Sequence, residues 1–130
     1  FRRVLFRSYL EAHPLVGKVN YPGLPGDKYY ELAQKYMPKG TCGVISFELK
    51  AGREAAVKFM DSLKLASIVT HVADAKTSVL HPASHTHRQL NDEQLVAAGV
   101  SPGMIRLSVG IEHIDDILAD LEQALEASEQ

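Results

Sequence analysis

Residues 75–112 read AKTSVLHPASHTHRQLNDEQLVAAGVSPGMIRLSVGIE, and the fold turns on the end of this stretch. In Met104-Ile105-Arg106-Leu107-Ser108-Val109, apolar and polar residues alternate. On a strand, that alternation puts Ile105, Leu107 and Val109 on one face and Arg106 and Ser108 on the other. A guanidinium in mid-strand is costly to take out of water, so it needs a partner of matching geometry. A carboxylate fits best, because the planar fork can donate two parallel hydrogen bonds. Two partners meet that need. One is an Asp or Glu of the same chain, in a structural ion pair. The other is the carboxylate of a small substrate.

Working outward, Ser101-Pro102-Gly103 leads into this strand and Gly110 ends it. Residues 113–127 carry Ile114, Ile117, Leu118, Leu121 and Leu125 at helical spacing, an apolar stripe suited to packing on a sheet. Upstream, Asn91 is an N-cap with Gln94 three residues on, two acids fill the first turn, and Gly99 is a left-handed stop. A polar loop over 73–88 contains a short strand at 78–80. Residues 44–50 (VISFELK) form the clearest strand, with Ile45, Phe47 and Leu49 on one face and Ser46, Glu48 and Lys50 on the other. Residues 53–63 predict an amphipathic helix with Ala56, Val57, Phe59, Met60 and Leu63 inward, and residues 67–72 a further strand. Nearer the start, 15–21 reads as a strand. Asp27 is a candidate N-cap for a helix over 28–36, with Tyr29, Leu32, Ala33 and Tyr36 at helical spacing. Residues 9–13 end a helix that Pro14 stops. Short, partly polar strands alternating with helices, without a phosphate-gripping glycine fingerprint, predict an α+β fold. Its sheet is mostly antiparallel or mixed, with helices packed on one face.

The 130 residues suffice for one domain with a core, and 45% hydrophobic against 23% charged residues is an ordinary globular balance. A formal charge of −2 gives no basic footprint for nucleic acid or for an anionic membrane. No apolar run approaches the length of a membrane span. The single Cys42 excludes an internal disulfide and suits a reducing compartment, so the expected location is cytoplasmic. The chain opens on Phe1 rather than Met, which suggests a piece of a longer protein. Residues 1–8 (FRRVLFRS) hold three arginines and read unlike the rest. They are set apart as a linker or non-native segment, leaving 9–130 as the domain.

Three histidines, His81, His85 and His87, fall within seven residues. Such a tract binds zinc only where the imidazoles converge, and the H-E-x-x-H helix is missing, so no metal is expected. Ser84 beside His85 and His87 has no nucleophile-elbow motif around it. Cys42 in Gly40-Thr41-Cys42-Gly43 reads as a small, half-buried residue at a strand start rather than a nucleophile. The coherent set is the polar Ser/Thr/His loop beside the Arg106 strand: a cleft for a small anionic ligand.

The run HPASHTHRQLNDEQLVAAGVSPGMIRLSVGIEHIDDILADLEQAL resembles the C-terminal part of the pyridoxal-phosphate enzymes of cysteine and methionine metabolism. VNYPGL and FELKAGREAAVKFMDSLKL resemble the part before it, so the likeness covers about residues 9–127 in order. The resemblance implies the small C-terminal domain of a fold-type I enzyme. It implies pyridoxal 5'-phosphate as cofactor, bound mainly by an N-terminal domain that carries the Schiff-base lysine. The likeness is nearest the branch that replaces the acetate of O-acetylhomoserine with sulfide, giving homocysteine. Cystathionine γ-synthase, cystathionine lyases and methionine γ-lyase are alternatives on the same scaffold. By the same resemblance, the motif at Ile105-Arg106-Leu107-Ser108-Val109-Gly110 makes Arg106 the residue that holds the substrate α-carboxylate. His71 matches a second contact made through the main chain, where the family usually has Ser or Asn. Thr86 matches a threonine near the substrate's carboxyl end, and His85 replaces a smaller residue there. No residue of this chain is implied as catalytic or as cofactor-binding. Further expectations are a small amino-acid substrate, a homotetramer of the full chain, and inactivity of this piece alone. A free-standing small-molecule binding module is the alternative of another class.

Overall fold

The computed structural model describes residues 2–130. Five strands and five helices follow one another as α1 (Arg2–Ala12), β1 (Val16–Asn20), α2 (Tyr30–Tyr36), β2 (Val44–Leu49), α3 (Gly52–Ser62), β3 (Ser67–Ile68), β4 (Ser78–Leu80), α4 (Asp92–Ala97), β5 (Met104–Ser108) and α5 (Ile114–Ser128). The strands make one sheet in the order β1-β2-β5-β4-β3. All pairs are antiparallel except β3 with β4. The sheet is therefore mixed and mostly antiparallel, in an α+β fold, as its short alternating segments predict.

Period-two alternation builds the core. Ile45, Phe47 and Leu49 of β2, Ile105 and Leu107 of β5, and Val79 of β4 are buried together. Against them lie Ala56, Phe59 and Met60 of α3 and Ile117, Leu121 and Leu125 of α5. Phe47 and Phe59 meet edge to face with centroids 5.8 Å apart. α1 runs unbroken across the boundary expected between residues 8 and 9, and its Phe6 and Leu10 are fully buried.

Several boundaries differ from expectation, for physical reasons. The strand expected over 67–72 stops at Ile68, one further bond running from Val69 N–H to Val79 O at 3.2 Å. Beyond it the chain leaves β4, and Ala73 adopts a left-handed φ of 62°. Asp27 accepts from Tyr29 N–H at 2.8 Å, so it organises the turn before α2 rather than capping the helix itself. On α2 only Ala33 is buried, while Tyr29, Leu32 and Tyr36 are exposed. Helical spacing says which residues share a face, not that another element covers it. Val57 likewise flanks the buried stripe of α3 and is exposed. The expected cap of α4 is present in full, since Asn91 and Gln94 bond each other's backbone reciprocally at 2.8 and 3.0 Å.

The connection from α3 to β3 has no ladder partners, and a carboxylate takes their place. Asp120 of α5, only 6% exposed, accepts from the N–H groups of Lys64, Leu65 and Ala66 at 2.8, 2.9 and 2.9 Å. Burial pushes its pKa up, but these three bonds and one from Gln123 outweigh it, and the carboxyl is held below its ordinary range. An amide cannot accept on both sides in this way. Asp120→Asn is expected to destabilise the fold by about 1–3 kcal/mol, the cost of leaving buried donors unpaired. Urea denaturation is the check, with the midpoint falling while the slope is kept.

Candidate substrate-binding site

β5 is the middle strand, so Arg106 stands at the centre of the sheet on the face opposite the core. The register places Arg106 between Ser46 of β2 and Leu80 of β4, and Ser46 beside Asn20 of β1. Asn20 Nδ2 donates to Ser46 Oγ at 3.2 Å. A polar row, Asn20–Ser46–Arg106, therefore crosses three strands. Sequence alternation found Ser46 and Arg106 one strand at a time. It could not find the row, because strand pairing is not a local property.

Arg106 is half-buried. Its Nη2 donates to the carbonyl oxygens of Thr70 at 2.8 Å and His71 at 3.2 Å. Its Nε and Nη1 have no acceptor among the described residues. Nor does any described carboxylate pair with it: the ion pairs are Arg7–Glu11, His13–Glu122, Arg53–Asp92 and His113–Asp115. The internal ion pair that the pattern allowed is thus not made. Neutral carbonyls orient the guanidinium, leave its charge uncompensated and leave part of its fork open.

The carbonyls belong to a strap, residues 70–77, that lies along β5 and its continuation. Ala73 N–H donates to Ser108 Oγ at 3.2 Å, and Ile111 N–H to Ala75 O at 2.8 Å. Thr77 closes the strap: its N–H and hydroxyl donate to the two carboxylate oxygens of Glu112, at 2.7 and 2.8 Å. Thr77 Oγ1 in turn accepts from Gly110 N–H at 2.9 Å. A Cβ at Gly110 would collide with the Thr77 nitrogen, the Ala75 carbonyl and the Glu112 carboxylate. Neither Thr77 nor Glu112 was singled out from the sequence. The run S-V-G-I-E held the signal, a glycine two residues before an acid, but its meaning depends on the strap beside it.

The structure brings His71 to Arg106 through the main chain, while the His71 imidazole is exposed with no partner among the described residues. The His71 N–H has no acceptor among the described residues. Thr86 lies exposed in the turns after β4, its hydroxyl 2.8 Å from His87 Nδ1, and no hydrogen bond joins it to Arg106 or His71. The three neighbouring histidines do not share a ligand position. His81 is fully buried with Nε2 2.7 Å from Pro102 O, and His85 Nδ1 is 2.9 Å from His81 O. Among the described residues no group of three or more His, Cys, Asp or Glu could hold a metal. Cys42 is exposed, not half-buried. No helix among the described residues is long and apolar enough to cross a membrane.

The structure is a small α+β domain with one arginine, unpaired with any described carboxylate, on the polar face of its sheet. Comparison with known proteins gives its family. Residues 5–126 match the family model of the Cys/Met metabolism PLP-dependent enzymes, and the chain belongs to that family. It is 51% identical over 119 residues to O-acetyl-L-homoserine sulfhydrylase of Leptospira meyeri, a match covering 91% of this chain and 27% of that protein. It is 51% identical over 121 residues to homocysteine synthase of Schizosaccharomyces pombe, 93% of this chain and 28% of the relative. L-Methionine gamma-lyase of Fusobacterium nucleatum is 48% identical over 92% of this chain and 30% of its own length. Among solved structures, a putative O-acetylhomoserine (thiol)-lyase of Campylobacter jejuni superposes with a TM-score of 0.87 at 40% identity, covering 96% of this chain and 30% of that one. That crystal contains a pyridoxyl-lysine phosphate. The chain thus spans under a third of the length of these relatives.

The family is pyridoxal-phosphate-dependent. A Schiff-base lysine needs an enclosed, desolvated setting. All eight lysines here are exposed in this chain taken by itself.

His81 gives the fold around the site a pH dependence. The Pro102 carbonyl can only accept, so Nε2 carries the ring proton, and the buried Nδ1 is left without a partner. Burial, with Arg53 and His85 nearby, keeps the pKa below the ordinary 6.5 although the Pro102 bond raises it. Burial lowers His13 in the same way. Above 6.5 both rings are neutral in either state and their contribution to stability is whole. Below 6.5 the unfolded chain binds more protons, and stability falls with pH until the folded pKa is passed. His81→Gln, which can still donate to Pro102, is expected to flatten the loss of stability as the pH is taken below about 6.5, measured by urea midpoints at each pH.

Proposed function

We propose that this chain is the C-terminal, substrate-holding domain of a longer PLP-dependent enzyme that makes homocysteine from O-acetylhomoserine and sulfide. The observation that carries the reading is the state of Arg106, oriented by two carbonyls, unpaired with any described carboxylate and open at Nε and Nη1. In this reading Arg106 holds the substrate α-carboxylate. The neighbouring His71 N–H is a second donor to it, which needs no particular side chain and so tolerates histidine. Thr86 takes part only once substrate or the rest of the protein lies against the loop after β4. The coenzyme, when bound, supplies the electron sink for the bond-breaking steps, and its binding groups belong to residues outside this chain. The names of the sulfhydrylase and homocysteine synthase relatives favour γ-replacement. The methionine gamma-lyase relative, at 48% identity, keeps elimination on the same scaffold as the second reading.

The decisive assay uses the full-length protein with O-acetylhomoserine and sulfide in parallel with methionine and cystathionine. Homocysteine formed from the first pair supports the proposal. Turnover of methionine alone replaces it with the lyase reading. An open reading frame without a coenzyme domain would favour a free-standing binding module.

Two further outcomes are expected. Arg106→Ala in the full-length enzyme raises the KM for the amino-acid substrate by a factor corresponding to about 2–5 kcal/mol, and Arg106→Lys recovers only part, since an ammonium lacks the fork. Steady-state kinetics check both, and an unchanged KM removes Arg106 from the site. The isolated 130-residue chain shows no activity and no saturable one-to-one binding of pyridoxal phosphate beyond the weak aldimine formation of its exposed lysines; a saturable one-to-one site would place coenzyme binding here after all.

A further inference from the structure

The strap that orients Arg106 is held in an unusual way. Residues 70–76 are all exposed, and only Thr77, at its end, is buried. Apolar burial therefore does little to fix the strap, and hydrogen bonds must do so. Its first carbonyls follow directly on the last sheet bond, from Val69. Its middle is caught by Ser108 and Ile111. At its far end the Ser67 N–H donates to Thr77 O at 3.1 Å, and one carboxylate takes both donors of Thr77, while Thr77 itself accepts from Gly110. The absence of a side chain at Gly110 lets the strap come this close.

We propose that Thr77 and Glu112 are a positioning pair: by locking the end of the 70–77 strap onto the β5–α5 connection, they fix the two carbonyls that aim Arg106 at the substrate carboxylate. Neither residue touches the substrate. The inference rests on the carboxylate-holding reading of Arg106. Two features fit the pairing. A carboxylate can accept on both oxygens at once, as Thr77 requires, whereas a glutamine can accept on only one. The Glu112 carboxyl is held below its ordinary pKa, burial being outweighed by the Thr77 bonds and Lys76, so it stays an ionised acceptor.

The test is a double-mutant cycle in the full-length enzyme. Thr77→Val keeps the shape and removes the hydroxyl; it is expected to raise the KM for O-acetylhomoserine about tenfold, with kcat falling less than about threefold and the KM for sulfide unmoved. Thr77→Ser, which restores the hydroxyl, should return the KM to within about twofold of wild type. In an Arg106→Ala background, Thr77→Val should change kcat/KM by less than about twofold, because its effect passes through the missing guanidinium. Glu112→Gln is the milder variant for the same cycle if Thr77→Val does not fold. Full additivity with Arg106→Ala overturns the pairing, and so does loss of folded protein in both variants, which makes the role structural. If Arg106→Ala raises KM and neither Thr77→Val nor Glu112→Gln does, only this inference falls. If Arg106→Ala leaves KM unchanged, the carboxylate reading falls, and the inference with it.

Discussion

The constraint on which the rest depends is the position of β5 in the middle of the sheet. Period-two geometry forces Ile105 and Leu107 into the core, and the same geometry forces Arg106 and Ser108 onto the opposite face. The antiparallel partners on both sides then decide what surrounds Arg106. A slip of one residue would bury a guanidinium among Phe47, Phe59 and Leu121 and expose Leu107, at a cost of several kcal/mol on both counts. The register is thus specified by the apolar face, and the polar face inherits it. The precision of the candidate site comes from the core beneath it.

Where the sheet stops supplying partners, two carboxylates supply them. Asp120 gathers three consecutive N–H groups at the end of α3, and Glu112 gathers the N–H and hydroxyl of Thr77 at the end of the strap. Asp120 lies on α5 and Glu112 just before it, and the two anchor the chain entering β3 and the chain entering β4. In both cases the hydrogen bonds outweigh the burial penalty and keep the acid ionised.

Local pattern made much of this legible. The alternation of VISFELK and MIRLSV, the stripe of α5 and the Asn91–Gln94 capping box are all repeated within a few residues, and each appears in the structure. What escaped the pattern is what depends on a distant partner. The shortness of β3, the exposure of Tyr29, Leu32 and Tyr36, and the Thr77–Glu112 contact 35 residues apart in sequence have no local signature. The family motifs led to Arg106 and to a main-chain contact at His71, but not to the anchor of the strap on Glu112, because that anchor joins residues far apart in the chain.

The contact at His71 bears on why the arginine is held by main chain at all. An aspartate or glutamate in place of the Thr70 and His71 carbonyls would orient the guanidinium equally well. It would also neutralise it, and an incoming carboxylate would then have to displace a charge-assisted pair worth more than a neutral hydrogen bond. Carbonyl dipoles provide direction without cancelling charge, so the attraction for an anion survives. They also occupy Nη2 alone, leaving the donors on Nε and Nη1 without an acceptor among the described residues. The cost is that carbonyls aim only as well as the backbone carrying them is fixed. An exposed strap with a left-handed alanine at its bend has little rigidity of its own. Its rigidity has to be imported from the sheet, through Ser108, Gly110 and Glu112, and all three lie on β5 or the chain that leaves it.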